Sequence, residues 1–278
     1  MMRIDAHVHL WDPARGDYGW LGPHLPVLNR RFAPAQLYPL LVENGVDGVV
    51  LVQAAPTAAE TDYLLQLSAE SWILGVVGWI DLDSPDAAAE AAARRLGGPK
   101  LVGVRPMLQD LADPRWILDS RREPALLALE GGGVKFDALI RPPHLPVINE
   151  LAARHPGLSI VIDHAAKPVI GKTIDGAWRE AMRQVAAHTN VTCKLSGLMT
   201  ELARATEASV IPFYVGELLD AFGAERLIWG SDWPVLTQAA SYAQWLEISE
   251  RSLAGLGQQA REGVMGGNAA RVYGVRGS

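Results

Sequence analysis

The chain has 278 residues, enough for one barrel of about 250 residues or for two small domains. Hydrophobic residues make up 49% of it and charged residues 20%, which predicts a large core and excludes a disordered protein. The 25 Lys and Arg residues face 31 Asp and Glu residues, a net charge of −6 with no basic block, so nucleic acid and anionic membranes are poor partners.

Short apolar, β-rich runs recur along the chain and predict strands. Most are apolar on both faces, as expected of parallel strands that are covered on both sides. The eight runs are Arg3–Leu10, Gly48–Ala55, Leu74–Asp81, Leu101–Met107, Phe136–Ile140, Ser159–His164, Val191–Ser196 and Leu227–Trp233.

Helical patterns alternate with these runs. They cover Pro34–Asn44, Thr57–Ser71, Pro85–Leu96, a segment opened by Asp113-Pro114 and broken near Pro124, Leu145–His155, Asp175–His188, Ala205–Phe222 and Tyr242–Leu256. The alternation favours a single (β/α)8 barrel over residues 1–278, because no Gly-rich phosphate loop follows the first strand as a dinucleotide fold would require. The longest irregular stretch, residues 11–33, is rich in Trp and Tyr and predicts an ordered lid.

The first strand, read as RIDAHVHLW, is unusually polar for a core strand. Alternation places Asp5, His7 and His9 on one face and the apolar residues on the other. The HxH spacing lets both imidazoles hold one ion or one water, although a pair of this kind alone is equally well read as hydrogen-bonded histidines at a strand end.

Other polar residues stand where the predicted strands end, which is where a barrel places its chemistry. His164 ends the sixth strand and Asp232 lies on the eighth, so with His7 and His9 they form the predicted catalytic set. Arg105, His144 and Lys194 occupy comparable positions. Cys193, the single cysteine, is read as a small buried residue, and a reducing cytoplasm is the expected location.

Several motifs together resemble the amidohydrolase superfamily. They are DAHVHLW at the start, GVR at Gly103–Arg105, IDHAAKP at Ile162–Pro168, WGSDWP at Trp229–Pro234 and GNAARVYG at Gly267–Gly274. The resemblance runs nearly end to end and is greatest to the lactonase branch, which includes sugar-acid lactonases and 2-pyrone-4,6-dicarboxylate lactonase. It implies a distorted TIM barrel that hydrolyses a lactone, with the family's residues at His7, His9, His164 and Asp232.

One position departs from the pattern of the superfamily. Binuclear amidohydrolases carry a lysine on the fourth strand that becomes a carbamate bridge, and Arg105 stands there in this chain. Arginine stays cationic and cannot bridge two metals. We therefore expect either no required metal, as the resemblance implies for many lactonases, or one divalent ion, most simply zinc, held by His7, His9 and Asp232.

The predicted reaction opens a sugar-acid lactone such as L-fuconolactone or a similar aldonolactone. Asp232 is the expected base that activates water, and the histidines orient the water or donate to the carbonyl oxygen. Lid and loop residues are expected to bind the substrate: Arg105, Gln109, His144, Tyr18, Trp20 and Trp233. Lys167 and Lys194 are further possible contacts.

Two alternatives remain open from the sequence. One is a zinc-dependent decarboxylase of the same superfamily, which needs its ion firmly bound. The other is a non-catalytic barrel that binds a sugar acid, which the intact HxH pair and Asp232 disfavour. The expected partner is a small-molecule lactone, and the oligomeric state, including a homo-oligomer, stays undetermined.

Overall fold

The fold is an eight-stranded parallel sheet in which each strand pairs with the next one in the chain. The computed structural model describes residues 2–90 and 100–276. The strands are β1 (Ile4–Val8), β2 (Gly48–Val52), β3 (Ile73–Gly78), β4 (Leu101–Val104), β5 (Lys135–Ala138), β6 (Ile160–Ile162), β7 (Val191–Leu195) and β8 (Leu227–Trp229).

The sheet curls until its first and last strands meet. A parallel bridge joins Val8 to Trp233, the Asp232 amide donates to the His7 carbonyl at 2.9 Å, and the His9 amide donates to the Trp233 carbonyl at 2.8 Å. These bonds belong to the segment after β8, so the closure itself brings Asp232 beside the HxH pair. The predicted (β/α)8 barrel is confirmed.

Helices pack around the strands, as predicted, with shorter bounds. They are α1 (Pro34–Glu43), α2 (Ala58–Leu67), α3 (Glu123–Gly132), α4 (Leu145–Arg154), α5 (Gly176–Ala186), α6 (Ile211–Phe222), α7 (Tyr242–Ser252), α8 (Gln258–Glu262) and α9 (Asn268–Tyr273). The last two and α3 were not predicted. Of the predicted helix Pro85–Leu96, residues 87–90 are helical and residues 91–96 lie outside the described part of the chain.

The helix predicted to open at Asp113-Pro114 is wrong. That segment forms two short 3-10 turns, at Trp116–Leu118 and Ser120–Arg122, and the regular helix α3 begins only at Glu123. Pro124 therefore lies in the first turn of α3, where its missing amide hydrogen costs no helical bond, and it starts the helix instead of breaking one.

An apolar cluster fills the barrel below its carboxyl end. It includes Ile4 and Ala6 of β1, Val50 and Val52 of β2, and Ala269, Val272 and Tyr273 of α9. A larger cluster lies between the strands and the surrounding helices. Cys193 is a buried free thiol of that larger cluster, as predicted, and burial raises its pKa.

Hydrogen bonds tie down the long segment after β1, residues 11–33, whose role as a lid stays a prediction. Its ends are tied by two hydrogen bonds between the Trp11 and Phe32 backbones, at 3.1 and 2.9 Å. The Trp20 indole donates to the Ala54 carbonyl at 2.7 Å, so the segment lies over the end of β2. Within the described residues, none of the helices combines the length and apolar character that crossing a bilayer would take.

Candidate active site at the carboxyl end of the barrel

The first strand contains an irregularity that separates its polar residues. The pairing of β1 with β2 shifts between Asp5 and Val8, so three steps on β1 match two on β2. The prediction that Asp5 shares a face with His7 and His9 is therefore wrong. Its carboxylate accepts hydrogen bonds from the Tyr242 hydroxyl and the Ser231 amide, both at 2.8 Å, whereas the two imidazoles turn to the centre of the barrel.

His7, His9, His164 and Asp232 converge, as the sequence predicts. The Oδ1 atom of Asp232 lies 3.3 Å from Nε2 of His9, 3.7 Å from Nε2 of His7 and 3.8 Å from Nε2 of His164. All four side chains are nearly inaccessible to solvent. One carboxylate oxygen thus faces three imidazole nitrogens.

Unusual backbone places two of these side chains. Asp232 has φ 63°, and four consecutive residues from His164 to Lys167 have φ between 51° and 61°. Residues other than glycine rarely adopt this left-handed conformation, and aspartate tolerates it better than most. The strands β6 and β8 end just before these residues. The left-handed backbone that follows each strand then directs the side chains of His164 and Asp232 into the same space.

A buried charge cluster lies directly beneath His7. The Lys194 ammonium contacts Asp137 Oδ2 at 2.5 Å and Asp163 Oδ1 at 3.0 Å, and the Arg105 guanidinium contacts Asp163 Oδ2 at 3.3 Å. The Tyr273 hydroxyl donates to Asp137 Oδ2 at 2.8 Å. Two cations therefore balance two carboxylates, as a buried ionic cluster requires.

Burial and neighbouring charges shift the pKa values of these groups in opposite directions. Desolvation lowers the pKa of His7 and of His9, and it lowers that of His164 to about 4, so the imidazoles are neutral at pH 7. Burial raises the pKa of Asp232, whereas the charge of a protonated His164 and a hydrogen bond from a protonated His9 lower it, and the net pKa lies well below its usual value. The site therefore combines an ionised carboxylate with neutral imidazoles.

The donor set fits one divalent cation. His9 donates from Nδ1 to the Val52 carbonyl at 2.7 Å, which leaves Nε2 as a lone pair that faces the Asp232 carboxylate. Two acceptors 3.3 Å apart require a proton or a cation between them. The possible ligand atoms of His7, His9 and Asp232 lie within 4.8 Å of one another, and two nitrogens and one oxygen are a common catalytic set for zinc.

The residues predicted to bind substrate lie at different distances from the converged residues of the site. Arg105 is buried in the floor, where it donates to Asp163 and to the Gln53 carbonyl. Among the described residues, no hydrogen bond or ion pair joins the four groups of the converged set to the side chains of Tyr18, Trp20, Gln109, His144 or Trp233. Their substrate contacts remain predictions.

The charged groups beneath the imidazoles include two carboxylates, Asp163 and Asp137, that strand-end position does not predict. Lys194 is predicted as a possible substrate contact, but its complete burial and its two ion pairs place it in this cluster. A signal existed, because a charged residue inside an otherwise apolar strand must find a buried partner. Ser196, whose hydroxyl lies 2.8 Å from Nδ1 of His164, carried no comparable signal.

The fold and the converged strand-end residues define a hydrolase-type barrel, and comparison with known families specifies it. The chain belongs to the amidohydrolase family, whose model matches residues 4–275. The resemblance found in the motifs is thereby confirmed.

Relatives narrow the family to one branch. The chain is 47% identical to an L-fucono-1,5-lactonase from Burkholderia ambifaria. The alignment covers 98% of this chain and 95% of that protein. Another L-fucono-1,5-lactonase, from Burkholderia multivorans, is 39% identical over 98% of this chain and 96% of its own length. A crystal structure of a Burkholderia multivorans amidohydrolase with bound zinc has a TM-score of 0.93 and 38% identity, and covers 99% of this chain and 100% of that one. The prediction of an enzyme of the lactonase branch is confirmed.

Proposed function

We propose that this enzyme opens L-fucono-1,5-lactone, or an aldonolactone of closely similar shape, by attack of a water that Asp232 activates. The observation that carries the proposal is the convergence of Asp232 Oδ1 on three imidazole Nε2 atoms, among side chains that are nearly inaccessible to solvent. The full-length likeness to two L-fucono-1,5-lactonases supports the choice of substrate.

Asp232 is placed to take a proton from water. Its carboxylate is ionised at neutral pH, and burial reduces the screening of its negative charge by solvent. A water held between Asp232 Oδ1 and the imidazoles would have its acceptor beside it before the substrate arrives. Neutral His164, fixed by Ser196, can donate from Nε2 to the lactone carbonyl oxygen if Nδ1 accepts the serine hydroxyl hydrogen.

The proposed steps conserve atoms and charge. Water oxygen bonds to the carbonyl carbon while its proton passes to Asp232, and the carbonyl π electrons move onto oxygen, where hydrogen-bond donors stabilise them. When that oxyanion collapses, the bond from the carbonyl carbon to the ring oxygen breaks. Asp232 returns the proton to the departing alkoxide, which leaves an open-chain hydroxy acid.

We propose zinc as the metal that His7, His9 and Asp232 hold. When bound there, a divalent ion would supply polarisation of the lactone carbonyl. A cyclic ester is reactive enough that the donors of the site contribute a substantial part of the rate without it.

The charges of the floor favour a neutral, polyhydroxylated substrate. Arg105 and Lys194 are both paired with buried carboxylates, so neither offers a free cation to a substrate carboxylate. A dicarboxylate would need such cations. We propose that Gln109, His144 and the lid aromatics Tyr18 and Trp20 contact the sugar hydroxyls and ring.

The test is a panel of freshly prepared sugar lactones at neutral pH, followed by proton release with an indicator dye. We expect the highest kcat/KM for L-fucono-1,5-lactone, and loss of turnover in Asp232→Asn. Carbon dioxide release from aromatic acids, abolished by chelator, would instead identify a decarboxylase. Binding of sugar acids without turnover of any lactone would identify a non-catalytic barrel.

A further inference from the structure

The Asp5 side chain turns away from the two imidazoles of β1 and meets the segment that follows β8. It is fully buried. Its Oδ1 atom accepts the Ser231 amide at 2.8 Å and the His7 amide at 3.2 Å, and its Oδ2 atom accepts the Tyr242 hydroxyl at 2.8 Å. Two of the three donors are therefore main-chain amides, one on each side of the junction that closes the barrel.

The directions of the amides after β8 show why a side-chain acceptor is needed there. Along a strand of a parallel sheet, successive amides point alternately to the two neighbouring strands. The Gly230 amide donates to the Leu195 carbonyl of β7 at 3.1 Å, and the Ser231 amide then faces β1, as the alternation requires. The next amide, that of Asp232, breaks the alternation, because it also faces β1 and donates to the His7 carbonyl at 2.9 Å. Two consecutive amides therefore need two acceptors on the same strand.

The left-handed backbone of Asp232 is the local conformation that accompanies this break. Its φ of 63° costs of order 1–3 kcal/mol in a residue other than glycine, so neighbouring contacts must stabilise it. The His7 carbonyl serves the Asp232 amide, so the Ser231 amide needs another acceptor. The irregular pairing of β1 lies at the same place, between Asp5 and Val8, and the Asp5 carboxylate supplies that acceptor.

Solvent cannot replace this carboxylate. Ser231 is fully buried, and the segment lies so close to β1 that a Cβ built on Gly230 would be 2.7 Å from the Cβ of His7. A buried amide that loses its acceptor costs about 1–3 kcal/mol. Without Asp5, the cheapest relief is a rearrangement of the turn that carries Asp232.

We propose that Asp5 is a positioning residue for the reaction: its carboxylate holds the Ser231 and His7 amides and so fixes the left-handed turn that presents Asp232 to the imidazoles. The inference rests on the proposed role of Asp232 as the base. Asp5 contacts main chain and Tyr242, so it acts on the rate through the position of Asp232. Loss of the acceptor should therefore lower kcat and leave KM nearly unchanged.

Two substitutions of Asp5 separate the acceptor from the rest of the side chain. Asp5→Ala removes it, and we expect kcat for L-fucono-1,5-lactone to fall about 10- to 100-fold, up to the loss that a displacement of about 1 Å causes. Asp5→Asn keeps one oxygen for both amides and turns its NH₂ group to the Tyr242 hydroxyl oxygen, which can accept. We expect Asp5→Asn to keep kcat within about threefold, with KM within about threefold in both variants. Equal losses of kcat in the two variants would overturn the proposal.

Tyr242→Phe is the matched control for a general weakening of this region. It removes the third donor to Asp5 and leaves both amide contacts in place. We expect a loss of stability in urea titrations with unchanged kcat. A fall in kcat as large as that of Asp5→Ala would show that stability, and not the position of Asp232, limits the rate, and would overturn the proposal.

Amide hydrogen exchange of the wild type, followed by NMR, decides the matter even if Asp5→Ala does not fold. One opening of the turn should expose the Ser231 and Asp232 amides together, so we expect similar exchange rates for the two. Exchange of Ser231 more than about 100-fold faster than that of Asp232 would show that Asp5 does not hold it, and would overturn the proposal.

The two proposals fail in different ways. Hydrogen exchange needs no turnover, so the expected exchange pattern in a protein that opens none of the lactones would reject the substrate alone. Normal kcat in Asp5→Ala, together with an inactive Asp232→Asn, would reject only the role of Asp5.

Discussion

A methyl group added to Gly197 tests whether the position of His164 controls the rate. Gly197 follows β7 with φ 67°, and a Cβ built on it would lie 2.5 Å from Nδ1 of His164. Ordinary contact begins at 3.4 Å, so the imidazole must move by about 0.9 Å, the difference of these distances, and its 2.8 Å contact with Ser196 is disturbed. A displacement of about 1 Å can cost about 100-fold in rate.

Gly197→Ala should therefore lower kcat by about two orders of magnitude. It should also lose about 1–2 kcal/mol of stability to left-handed strain, a fall in Tm of about 2–4 °C for each kcal/mol. Gly133→Ala is the matched control, because its φ is 66° and no described atom lies within 4 Å of the added Cβ. Stopped-flow proton release and thermal unfolding measure both variants. Near-normal kcat in Gly197→Ala, or an equal loss of kcat in Gly133→Ala, would refute the reasoning.

Three further predictions concern the same site. Asp232→Asn should lower kcat at least about 1,000-fold with unchanged circular dichroism, because the base is lost and the shape kept; substantial residual turnover would exclude Asp232 as the base. In chelator, the contribution of His164 to stability should fall by about 3 kcal/mol as the pH drops from 6.5, the ordinary pKa of histidine, to about 4, that of folded His164. The sign follows because the unfolded chain binds this proton first. The difference between urea titrations of wild type and of His164→Gln isolates the contribution from the buried carboxyls that titrate in the same range, and a pH-independent difference would contradict it. Tyr242→Phe should cost about 1 kcal/mol in the same titrations, because it removes the hydrogen bond to Asp5, and should leave KM unchanged.

All eight strands could be predicted from the sequence, but most of the predicted runs continue past the point where the ladder stops. The run Gly48–Ala55 ends as a strand at Val52, and Ser159–His164 ends at Ile162. Hydrophobic patterning reports burial, and the residues after these strands, such as Ala54 and Asp163, are as buried as the ladder itself. Burial alone therefore cannot locate the end of a strand whose following loop forms the pocket floor.

The members of the site were predictable to the extent that their chemistry is unusual in a strand. Two histidines and an aspartate at strand ends are conspicuous in the sequence. The face of the sheet on which each residue lies depends on the local strand register, which the sequence does not show. The extra residue in β1 reverses the expected side of Asp5 relative to His7, and no local preference in IDAHV marks it. Alternation predicts faces only while the register is regular.

The backbone of His164–Lys167 and Asp232 shows why periodicity cannot place such a site. Five non-glycine residues in the left-handed region each cost of order 1–3 kcal/mol, so the surrounding structure must stabilise them. For Asp232 the stabilising contact is its amide, which donates to the His7 carbonyl at 2.9 Å, the same bond that closes the barrel. The same hydrogen bond therefore closes the barrel and holds the Asp232 carboxylate at the site. β1 thus positions Asp232 through its main chain as well as through the side chains of its two histidines.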